Sequence, residues 1–70
     1  MPTAQEWLAA YADKLGIPAP SPEEIDAILA LAGVAAHASE RIAAPVACWM
    51  AAGSDVSLAE ARRLADELAD

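Results

Sequence analysis

The chain has 70 residues, 57% of them hydrophobic, and a formal net charge of −7 from 11 acidic against 4 basic side chains. This length makes one domain, residues 1–70, and the acidic balance excludes proteins that neutralise nucleic-acid phosphates with clustered Lys and Arg; it also disfavours an anionic membrane surface. A chain this short buries only about 60% of its unfolded surface, so a protein partner or a homo-oligomer is in keeping with its size.

Thr3-Ala4-Gln5-Glu6 reads as a capping box, a hydroxyl for the third helical N–H and a Glu that reaches back. Ala4, Trp7, Leu8, Tyr11 and Leu15 follow on one helical face. Gly16-Ile17-Pro18 supplies a Schellman ending and then a stop, so helix 1 is expected over residues 3–15. A stiff loop with two prolines leads to Ser21-Pro22-Glu23-Glu24, a second capping box with Pro at the favoured first helical position.

Helix 2 is expected over residues 22–42. Ile25, Ile28, Leu29, Ala32, Ala35, Ser39 and Ile42 gather on one side of its wheel, with Leu31 at the margin. Gly33 weakens it by about 1 kcal/mol relative to Ala, and either a close neighbour or drift would account for it. Pro45 disfavours helix at Ala44 and cannot donate to the Arg41 carbonyl. The expected break is therefore at Ala43–Ala44, with helix 3 over 45–52 and Gly53 ending it. One long helix kinked at Pro45 is the alternative.

The charge-free stretch Ile42–Ser54 is apolar on every side and is expected at the centre of the fold, with the other segments around it. It is too short to cross a bilayer, which takes about 20 residues. Ser57-Leu58-Ala59-Glu60 is a third capping box, opening helix 4 over 57–69. Leu58, Ala61, Leu64, Ala65 and Leu68 form its inward face; Arg62, Arg63, Asp66, Glu67 and Asp70 face water. The fold class is all-α, a small four-helix bundle. Its large core candidates are Trp7, Leu8, Tyr11, Leu15, Ile25, Ile28, Leu29, Leu31, Ile42, Val46, Trp49, Met50, Leu58, Leu64 and Leu68.

His37, Glu40 and Arg41 are neighbours on the polar side of helix 2. A His that exchanges protons near neutral pH, a Glu that orients it and an Arg that grips an anion make a recognition or catalytic patch; a solvated helix face explains the same residues. Cys48 is the lone cysteine, so no internal disulfide forms, and inside a charge-free helix it is expected to be a buried, inert thiol. No ligand spacing points to a metal, and no cofactor is expected. Asp55-Val56-Ser57 superficially suggests the attachment serine of a carrier protein, but Val56 intervenes and Ser57 is better explained as an N-cap. The first residues lack a basic region and a long apolar run, so no signal peptide and a cytoplasmic location are expected.

Two runs carry a family resemblance: Trp7-Leu8 through Leu15-Gly16-Ile17, and Ala35 to Pro45 with its core His37-x-x-Glu40-Arg41-x-Ala43-Ala44-Pro45. The chain resembles, over nearly its whole length, a small bacterial domain family of unknown function. That family occurs alone or as a C-terminal appendage to nucleotidyltransferases resembling the molybdenum-cofactor guanylyltransferase, and beside formate dehydrogenase accessory genes. Val46 and Trp49 stand where leucine and a phenylalanine-like residue are expected. The resemblance implies a non-catalytic accessory module that binds a protein partner in molybdenum-cofactor or molybdoenzyme maturation, with His37, Glu40 and Arg41 on the binding face. The alternatives are a small anionic-ligand binder or catalytic auxiliary acting through the same patch, and a purely structural self-associating bundle.

Overall fold

The computed structural model describes residues 1–69 and contains four α-helices: α1 Ala4–Leu15, α2 Pro22–Ala38, α3 Ala43–Ala52 and α4 Leu58–Leu68. The local signals act as their chemistry dictates. Thr3 Oγ1 accepts from the Glu6 amide at 3.1 Å while the Glu6 carboxylate accepts from the Thr3 amide at 2.8 Å. Ser21 and Glu24 repeat the exchange at the start of α2. Gly16 takes the left-handed conformation, φ 76°, and closes α1: the Ile17 amide donates to the Ala12 carbonyl and the Gly16 amide to that of Asp13.

At Ser57 the box is half made. Ser57 Oγ accepts from the Glu60 amide, but the Glu60 carboxylate is taken by Arg63 and does not reach back. A guanidinium offers two charge-assisted bonds where the cap backbone offers one neutral donor.

The break between α2 and α3 lies earlier than residues 43–44. Helix α2 stops at Ala38, residues 39–42 form the turn, and α3 begins at Ala43 rather than Pro45. Proline explains the shift. A continuous helix would press the Pro45 ring against the Arg41 carbonyl and lose one hydrogen bond. Ending the helix a turn upstream puts Pro45 in the first turn of α3, where an amide has no intrahelical partner anyway. The single kinked helix is not formed.

The Ile42–Ser54 stretch is not the centre of the fold. Helix α2 is the hub: α3 and α4 both pack along it and barely touch each other. Leu31, at 3% exposure, and Ala12, at 4%, are the buried residues among those described. Leu31 thus sits at the middle of the packed side of α2, not at its margin, because that side must serve two helices. Helix α3 is peripheral and none of its residues is buried; Trp49 is 79% exposed. Trp7, Tyr11, Leu15, Leu29, Ile42, Val46, Met50, Leu64 and Leu68 are also exposed, while Leu8, Ile25, Ile28 and Leu58 are half-buried. An apolar periodicity marks the side a helix can bury; 70 residues do not supply enough neighbours to bury it.

Helix α1 stands apart. No Cα of α1 comes within 8 Å of a Cα in another helix. The Cα radius of gyration is 12.8 Å, against about 11 Å for a compact chain of this length.

Candidate functional site

His37 lies in the last turn of α2, and Glu40 and Arg41 lie in the turn after it. The three stay close along the chain, but they do not share a helix face, because the helix ends before Glu40. All three side chains are exposed. Among the described residues, no side-chain hydrogen bond or ion pair joins them to each other or to anything else. Ser39 occupies the elbow, its hydroxyl accepting from the Glu40 amide.

The turn runs directly into an apolar stripe. Ile42, Val46 and Trp49 fall at i, i+4 and i+7, one helical face, and are 73%, 56% and 79% exposed. Arg41 therefore borders a row of uncovered apolar side chains ending in an indole. Sequence reasoning assigned that row to the core. The signal it passed over was the absence of any long polar side chain in α3, which leaves the outward side as apolar as the inward one.

Between α3 and α4 runs an open groove floored by α2. It consists of three adjoining hollows of about 280, 300 and 280 Å³. The first two share Leu31, Ala51, Ser54 and Val56; the last two share Ala47 and Ala65. Among the described residues every lining side chain is apolar, a serine or Cys48. The groove exists because α3 and α4 are each fastened to α2 but not to one another. Cys48 is half-buried at its wall rather than fully buried, its thiol 3.8 Å from the Ile28 carbonyl. Ser57 serves as the N-cap of α4.

The charged chemistry is concentrated on the outside of α4. Arg63 donates to Glu60 at 2.9 and 2.6 Å and to Glu67 at 2.7 Å. The hydrogen bond from Arg63 holds the Glu60 carboxyl below its usual range, and Glu60 followed by Glu67 raises the Arg63 guanidinium further. Arg62 lies 3.7 Å from Asp66. Arg62, Arg63, Asp66 and Glu67 are exposed as expected, and this is a solvated helix face; Asp70 lies outside the described residues. Among the described residues no group of three His, Cys, Asp or Glu could hold a metal ion, and no helix is long and apolar enough to cross a membrane.

Four short helices, an uncharged groove and an uncovered apolar stripe define a small acidic all-α domain. The chain matches the family described as "Domain of unknown function (DUF6457)" over residues 1–70, and it belongs to that family. No curated protein and no solved structure matches it.

Proposed function

We propose that this chain is a non-catalytic helical accessory module that docks on a protein partner through the outward stripe of α3. The observation that carries the proposal is the exposure of Ile42, Val46 and Trp49 in one row, with Arg41 at its end. Tryptophan and arginine are the side chains most often found to dominate binding at the centre of an interface. His37 and Glu40 form the polar rim. The run His37-x-x-Glu40-Arg41-x-Ala43-Ala44-Pro45 supports a bacterial partner in molybdenum-cofactor or molybdoenzyme maturation, of the formate dehydrogenase type, because it resembles the appendage of guanylyltransferase-like nucleotidyltransferases.

Titration of the chain against such a nucleotidyltransferase tests the proposal. Trp49→Ala, and separately His37→Ala with Glu40→Gln and Arg41→Gln, are each expected to weaken binding by at least about tenfold, the scale of one hot-spot side chain. Circular dichroism should show unchanged helix content. Undiminished binding by both folded variants removes this surface from consideration. One observation favours a second reading, a small anionic ligand at the turn: the Arg41 guanidinium has no carboxylate partner among the described residues. Phosphate or nucleotide binding lost in Arg41→Gln alone, with partner binding intact, would select it.

A further inference from the structure

The accessible surface of the chain is 5520 Å². A folded monomer of 7.2 kDa is expected to expose about 4,100 Å². The chain therefore carries roughly 1,400 Å² more surface than its mass warrants. Obligate homodimers bury on the order of 1,000–2,500 Å² per protomer, so the excess is the size of one such interface.

We propose that a second copy of this chain covers it, the apolar stripe of α1 from each copy lying in the groove between α3 and α4 of the other. This surface is separate from the outward stripe of α3, and the proposal does not depend on that stripe's partner.

Helix α1 has two apolar lines. On one, Ala12 is buried and Leu8 half-buried. Trp7, Tyr11 and Leu15 lie on the adjoining arc and are 55%, 47% and 52% exposed. The Trp7 and Tyr11 rings sit 5.1 Å apart between centroids and form one aromatic ridge. No other helix of its own chain packs closely against that ridge.

Ridge and groove match in length and in charge. At 1.5 Å per residue the ridge from Trp7 to Leu15 spans about 12 Å and α4, along the groove, about 16 Å, so the ridge fits within it. The groove has no charged lining among the described residues. Glu6 and Asp13 lie on the opposite side of α1 from its ridge, so the α1 carboxylates of two chains of net charge −7 point away from the contact. Lys14, beside Trp7 and Tyr11, is the cation at the ridge's edge, turned toward an acid-rich copy. A ridge and a groove on one chain, used twice, satisfy two-fold symmetry: each element contacts its complement on the other copy. A helix laid in an apolar groove is a common mode of recognition.

Sedimentation of the full chain across micromolar to millimolar concentrations tests this. A species of twice the 7.2 kDa chain mass is expected. Trp7→Glu and Leu64→Glu, one on the ridge and one in the groove, should each raise the dimer dissociation constant at least about tenfold with helix content unchanged. Contact is read separately in Tyr11→Cys, where mild oxidation should link the new thiol to Cys48 of the second copy, mapped by mass spectrometry. A monomer throughout the concentration range overturns the proposal and leaves the groove to a different protein's helix. An intramolecular Tyr11→Cys link, or a dimer indifferent to both charge substitutions, overturns it as well.

Discussion

Leu31 and Trp49 are both large apolar side chains in alanine-rich helices, and the fold treats them oppositely. Leu31 is 3% exposed where α3 and α4 meet α2. Leu31→Ala should cost about 2–5 kcal/mol, a large part of the few kcal/mol that a domain of this length commands. Trp49→Ala, at a site 79% exposed, should change monomer stability by only about 0.5 kcal/mol, as surface substitutions do. Chemical denaturation of the two variants, at concentrations too low for association, checks the pair. Two glycines divide in the same way. A Cβ on Gly33 would meet nothing within 4 Å, so no close neighbour requires this glycine, and Gly33→Ala should stabilise α2 by about 1 kcal/mol. Gly16 has open space too, but its φ of 76° means that Gly16→Ala should cost about 1–2 kcal/mol from the left-handed backbone alone.

At the scale of the element, helix ends were legible in the sequence and packing partners were not. Thr3, Ser21 and Ser57 cap the helices they were expected to cap, and Gly16 closes α1, because caps depend on residues three or four apart. The turn at residues 39–42 was misplaced because Pro45 is tolerated throughout the first turn of a helix and so does not fix how far upstream the break falls. The role of α3 was misread because a charge-free helix looks the same whether it is enclosed or uncovered. The candidate site was legible only as residue types: His37, Glu40 and Arg41 could be named, but the uncovered Ile42, Val46 and Trp49 beside them depend on which helix occupies the hub. Helix α4 carries its own pH response. Glu60 is held below its ordinary range by Arg63, so its contribution is present above about pH 4.3, the unfolded value, and is lost as pH falls through the lower folded value. Nuclear magnetic resonance titration should find the Glu60 carboxyl below its usual range in the wild type and restored to that range in Arg63→Gln.

At the scale of the whole molecule, the excess of surface becomes a calorimetric signature. An unfolded chain of 7.2 kDa exposes roughly 10,400 Å². Folding to 5520 Å² therefore hides a little under half of that, against about 60% for an ordinary domain of similar size. The heat capacity of unfolding follows the area uncovered, and 70 average residues would give on the order of 0.8–1.0 kcal/mol/K. In dilute solution this chain should give about three quarters of that, with a correspondingly shallow denaturant slope. As concentration rises and copies associate, the heat capacity should climb and the melting temperature should rise with it. Scanning calorimetry at two concentrations reads both. The curvature of the stability curve against temperature is then set by how many molecules share the solution: a lone chain has a flat, shallow dome, and an associated one a taller and more sharply curved dome.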